Sequence, residues 1–141
     1  MSKVAVVYWS GTGNTQAMAE LVAQGAREAG AQVDVFTSAD FSADQMDHYE
    51  AVAFGCPSMG VEVLEETEFE PMFTECEGKL KDKKIALFGS YDWGDGEWMR
   101  NWADNCAGNG AVFVADSVIC HESPEGTDIQ SKCKALGKAL A

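Results

Sequence analysis

Short, solidly apolar runs alternate along the chain with stretches in which apolar residues return every three or four positions. The first pattern suits a strand buried on both faces, and the second is the stripe of a helix that covers such a sheet. Residues 4–8, 51–56 and 84–88 read as fully buried strands, 32–36 as an alternating one, and 111–115 and 118–120 as strand-like. Met18, Leu21, Val22, Ala26 and Ala29 recur at helical spacing, and Gly30 supplies a stop. A short helix fits around 43–48. Another fits 68–77, provided that Pro71 falls in its first turn, where a missing N–H costs nothing. Trp98, Met99, Trp102, Ala103 and Cys106 form one helical face, with Asp95 as the expected N-cap. Ser123-Pro124 is expected to open a last helix with Ile129, Cys133, Leu136 and Leu140 inward. The reading is an α/β protein: a parallel sheet of five strands with helices on both faces, forming one domain over residues 1–141.

In such sheets ligands bind beyond the carboxyl ends of the strands, at the switch point in strand order. The turns placed there are residues 9–15, 57–62 and 90–94. The first holds Ser10, Gly11, Thr12, Gly13, Asn14 and Thr15, with three hydroxyls, one carboxamide and two glycines in six residues. Between a buried strand and a helix, that composition suits a phosphate, because the open N–H groups and the dipole at a helix N-terminus both favour an anion. No Lys or Arg lies between Lys3 and Arg27, so this is not the Lys-bearing nucleoside-triphosphate loop. Gln16 stands where a dinucleotide fingerprint needs its third glycine. A terminal phosphate monoester held by neutral donors is the better match. The other two turns carry Met59, Tyr91 and Trp93, side chains suited to the faces of a flat conjugated ring. Gly60 and Gly94 would let backbone approach its edge. A ring system attached to a phosphate is therefore expected.

Charge narrows the partners. The net charge is −13, and residues 4–78 hold Arg27 alone against fourteen acidic residues, whereas the remainder carries nine of each sign. This field disfavours nucleic acid and anionic membrane and favours basic protein surfaces. The chain has no apolar run of membrane-spanning length and no signal-peptide pattern, so a cytoplasmic protein is expected. Five scattered cysteines without a C-x-x-C pair suggest buried small hydrophobes, with neither a disulfide framework nor a metal site. His48 and His121 are given no role.

YWSGTGNT (8–15), GCPSMG (55–60), EFEP (68–71) and LFGSYDWGDGEWM (87–99) resemble, in order and spacing, the motifs of flavodoxins, in particular the short-chain type of anaerobic bacteria. The resemblance covers essentially the whole chain, and the long insertion in the fifth strand of larger members is missing. It implies a flavodoxin-like three-layer sandwich with strand order 2-1-3-4-5 (flavodoxin is itself a standard example of the switch-point rule, with FMN there). It also implies non-covalently bound FMN. Residues 10–15 would enclose the phosphate, and Ser58 and Ser90 would bring hydroxyls towards the phosphate or ribityl chain. Met59 and Trp93 would cover opposite faces of the isoalloxazine. Glu62 would accept from the flavin N(3)–H, the Gly60 backbone would lie beside N(5), and Val61, Tyr91, Asp92 and Gly94 would complete the surroundings.

The implied activity is low-potential, one-electron transport between redox enzymes in place of ferredoxin, cycling between neutral semiquinone and anionic hydroquinone. The carrier would be no enzyme itself. The peptide after Gly60 would turn on reduction so that its carbonyl accepts from N(5)–H, and nearby carboxylates would disfavour the anion. Val61 restricts that turn by its β-branch. Asp92 places a carboxylate next to Trp93, and Asp92→Gly is expected to raise the lower potential. The partners implied are iron–sulfur oxidoreductases, hydrogenase and ferredoxin-type reductases with basic docking surfaces, met by a monomer. The alternative is an FMN enzyme on the same fold, such as a quinone or nitro reductase, but the turns offer no basic group for a nicotinamide phosphate. A phospho-receiver domain is set aside, because the first strand ends in Val7-Tyr8 and the last in Cys120-His121.

Overall fold

The computed structural model describes residues 2–141. Its elements are β1 (Lys3–Tyr8), α1 (Asn14–Glu28), β2 (Gln32–Thr37), α2 (Ala43–Met46), β3 (Ala51–Gly55), α3 (Phe69–Cys76), β4 (Lys84–Tyr91), α4 (Glu97–Gly108), β5 (Val112–Phe113), β6 (Val118–His121) and α5 (Thr127–Leu140). All named strands pair in parallel in the order β2-β1-β3-β4-β5, with β6 also on β4. This is the expected α/β sandwich. Val4–Val7 and Ala51–Phe54 are fully or almost fully buried, as central strands covered on both faces must be. On one face Phe54, Phe69, Phe73, Trp98 and Trp102 form a core with α2, α3 and α4. On the other, Val4, Val6, Phe88, Met18, Val22, Cys133 and Leu136 join the sheet to α1 and α5.

Four boundaries differ from expectation. The edge strand is broken. From Phe113↔Ile85 to Val118↔Phe88 the edge advances five residues while β4 advances three, so two extra residues loop out where Asp116 and Ser117 stand. β4 runs on to Tyr91, so Ser90 and Tyr91 belong to a strand end, paired with β6 through Ser90↔Cys120 and Tyr91↔His121. The N-cap of α4 is Gly96 in the left-handed region, because Asp95 is drawn instead to Arg100 at 3.0 Å. The last helix begins at Thr127, and the Pro124 carbonyl accepts from Gln130 at 2.9 Å in the turn before it. Pro71 is the third residue of α3, in the first turn as required.

Candidate flavin site

The parallel register brings the carboxyl ends of β1, β3 and β4 to one edge of the sheet, and three turns leave from there. Backbone bonds tie them together: Trp9 N–H donates to the Gly55 carbonyl at 3.0 Å, Cys56 N–H to Phe88 at 3.1 Å, and Ser58 N–H to Ser90 at 3.0 Å. The buried hydroxyls of Thr15 and Ser90 meet at 2.7 Å, joining the start of α1 to the end of β4. Between the turns lies a cavity of about 250 Å³ lined by Trp9, Gly11, Thr12, Asn14, Pro57, Ser58, Met59, Ser90, Tyr91 and Asp92.

The phosphate end is built by α1. Its N-cap, Gly13, has φ 97° and no side chain to offer, and the first turn has no acidic residue. The opening N–H groups therefore face the loop without an intrahelical acceptor. Ser10 Oγ accepts from Gly13 N–H at 3.0 Å, which curls residues 10–13 around that end. Among the described residues no cation lines the cavity, and Asp92 is the one charged residue in its wall. Neutral hydroxyls and open N–H groups fit a phosphate monoester and exclude nothing about the ring beyond it.

The ring end is a short hairpin tip. Met59 and Val63 exchange both backbone bonds, at 2.8 and 2.9 Å, and Gly60 and Glu62 take left-handed φ of 52° and 56°. Val61 at the tip is 82% exposed, and Trp93, in the turn after β4, is 60% exposed. These two and Met59 are large apolar side chains left open at one edge, which is unusual unless something flat covers them. Glu62 points towards α4: its Oε1 accepts from Glu97 N–H at 3.0 Å, beside Gly94, where a Cβ would stand 2.6 Å from the carboxyl group. Gly94 is thus required for Glu62 to reach that place.

Of the residues expected at the site, Gly11, Thr12, Asn14, Ser58, Met59, Ser90, Tyr91 and Asp92 line the cavity. Ser10, Gly13 and Thr15 support it through the bonds above, and Gly60, Val61, Glu62, Trp93 and Gly94 stand at its exposed rim. Sequence reasoning placed Trp9 and Pro57 in the site turns but gave them no part in binding, yet both line the wall. It missed His121, whose Nε2 lies 3.0 Å from the Asp92 carbonyl and whose ring lies 5.3 Å from Tyr91. Trp9 donates from Nε1 to Glu68 at 2.9 Å, a pairing between residues 59 apart that no local pattern announces. The place of Trp9 at the start of the 9–15 turn was its signal.

The Flavodoxin family model matches residues 6–135. The chain belongs to the flavodoxin family. The flavodoxin of Clostridium beijerinckii is 44% identical over 136 residues, covering 96% of this chain and 97% of that one. That of Megasphaera elsdenii is 42% identical over 138 residues, covering 98% of each. The solution structure of two-electron reduced Megasphaera elsdenii flavodoxin superposes with a TM-score of 0.90 over 97% of both chains. The likeness is to the short-chain type, and flavodoxins bind FMN and carry electrons without being enzymes. The cavity accords with this. Its hydroxyl and N–H end suits the FMN phosphate, and its exposed apolar edge suits the ring.

Proposed function

We propose that this FMN-binding electron carrier works as a low-potential, one-electron shuttle that replaces ferredoxin between redox enzymes. The observation that supports it most is the charge of the site: a neutral phosphate cradle, a wall that bears Asp92 and, among the described residues, no other charge, and a rim bearing Glu62. FMN, when bound, supplies the one-electron chemistry. The residues of the chain hold and tune it. Ser10, Gly11, Thr12, Gly13, Asn14 and Thr15 would hold the phosphate, with Ser58 and Ser90 beside it. Met59 and Trp93 would cover the ring, with Tyr91, Asp92 and Gly94 around it. Glu62 has its Oε2 without a partner among the described residues and would accept from N(3)–H. The Gly60–Val61 peptide would supply the carbonyl for N(5)–H. Added negative charge on a ring flanked by Asp92 and Glu62 is disfavoured, which lowers the second potential.

The partners in this reading are iron–sulfur oxidoreductases, hydrogenase and ferredoxin-type reductases with basic docking surfaces, met in the cytoplasm by a monomer whose whole length is one FMN domain. Among the described residues no helix is long and apolar enough to cross a membrane. Stepwise dithionite titration of the FMN-loaded protein tests the proposal. The expected result is two separate one-electron steps with blue, long-wavelength absorbance at half reduction. One two-electron step without that absorbance overturns it.

A further inference from the structure

The turn after β3 ends on a buried carboxylate that the FMN cradle does not use. Glu65 is 5% exposed. Its Oε1 accepts from the N–H groups of Glu68 and Phe69, each at 2.8 Å, and its Oε2 accepts from Thr67 N–H at 2.9 Å and from the Thr67 hydroxyl. Its own backbone is fixed as well. The Glu65 N–H donates to Cys56 Sγ at 3.4 Å, and the Glu65 carbonyl accepts from Glu70 N–H at 2.9 Å. A carboxylate is costly to bury unless its lone pairs are met, and here four donors from Thr67, Glu68 and Phe69, where the turn enters α3, meet them.

Two residues upstream, the Met59–Val63 bridge closes the tip formed by Gly60, Val61 and Glu62. The tip has little packing of its own. Val61 is open to solvent, and a cavity of about 290 Å³ lies beside the tip, lined by Met59, Gly60, Val63, Glu65, Glu66 and Thr67. The tip is therefore held through its stem. One side of the stem is the Ser58–Ser90 bond, and the other is Glu65.

We infer that Glu65 is a positioning residue for the flavin: its carboxylate fastens the stem of the 58–65 turn to the start of α3 and so fixes where the Gly60–Val61 peptide stands at the mouth of the cavity. The inference rests on the FMN reading of that cavity. A glutamine cannot replace the carboxylate, because its NH₂ would face donors in place of one acceptor oxygen.

The test compares the wild type, Glu65→Gln and Leu136→Val, each as the full chain with and without FMN. Leu136 belongs to the core on the other face of the sheet. Hydrogen exchange at the Met59 and Val63 amides should quicken about tenfold in Glu65→Gln, the scale of one lost charge-assisted bond, and stay unchanged in Leu136→Val. With FMN bound, the equilibrium constant relating the two one-electron couples should also change about tenfold in Glu65→Gln alone. Unchanged exchange, or an equal change in Leu136→Val, overturns the inference even where FMN binds normally. Faster exchange with an unchanged constant also overturns it, leaving Glu65 as a helix cap only. A wild type that takes up no FMN overturns the site reading itself, whatever the exchange shows. Should Glu65→Gln fail to fold, Thr67→Val removes one donor and is judged by the same two measurements.

Discussion

Val61 stands between two left-handed residues, Gly60 and Glu62, at the outermost point of the site. Turning the 60–61 peptide changes the ψ of one and the φ of the next, and a β-branched side chain narrows the second. Val61→Gly is expected to stabilise the one-electron-reduced state, seen as a wider gap between the two potentials; an unchanged gap rejects the idea. Glu65 carries a pH prediction. Burial works to raise its pKa, but the Thr67 hydroxyl and the N–H groups of Phe69, Glu68 and Thr67 outweigh burial and hold it below the usual value. The stability it contributes is fully present above the unfolded pKa of about 4.3 and is lost as pH falls through the lower folded value. The difference in unfolding free energy between wild type and Glu65→Gln should therefore shrink as urea titrations are taken from neutral to acid pH. A constant difference would refute that. The thiols behave oppositely: burial pushes Cys76, Cys106 and Cys133 up to about 12, so they stay protonated at neutral pH. The phosphate turn was legible because its composition is local. The contact of His121 was not, because folding brings together residues 29 apart, and the donors on Glu65, though only two to four residues on, depend on the turn that residues 65–69 take.

At the scale of elements, α1 and α5 approach closely enough that only glycine fits at two positions. A Cβ on Gly137 would run into the Val22 carbonyl, and one on Gly25 into the Lys134 carbonyl. Both obstacles are backbone and cannot swing aside. Gly137→Ala should destabilise the protein by about 1–3 kcal/mol, despite the better helix propensity of alanine, because two helices must separate. Urea unfolding checks this, and FMN affinity should hardly change, since α5 lines none of the cavity. A stabilised variant would contradict this account of the packing. Periodicity predicted the strands and the helical faces well, because burial on a sheet imposes it. It did not locate helix starts, since Asp95 caps nothing once Arg100 takes its carboxylate. Nor could it say that residues 111–120 are two strands on one neighbour, as that depends on the register along β4.

Over the whole molecule the two edges of the sheet differ in charge: Glu28, Glu50 and Asp82 share the amino edge with basic residues, whereas the carboxyl edge around the site is mainly acidic. Lys3 and Lys84 open strands, and Arg27 and Lys138 close helices that run back, so all four stand at the amino edge of the sheet. Glu62, Glu68, Asp92, Asp95 and Glu97 stand at the carboxyl edge, around the site, where Arg100 is already paired with Asp95. The field should bring a basic partner to the ring edge first. Raising salt, which shortens screening to about 8 Å at physiological strength, should slow electron transfer to such a partner on the order of tenfold, and a rate that rises with salt would count against it.

The sequence by itself determined the class of fold, the layered core, the phosphate turn and the family, because each is written in local composition or in the period of apolar residues. The tertiary structure alone decided how the turns lock together. The Thr15–Ser90 contact, the seat of Glu62 beside Gly94 and the split edge strand all join residues through the parallel register. No stretch of chain contains the geometry of its distant neighbour, and that geometry sets where the ring edge and its carboxylates stand.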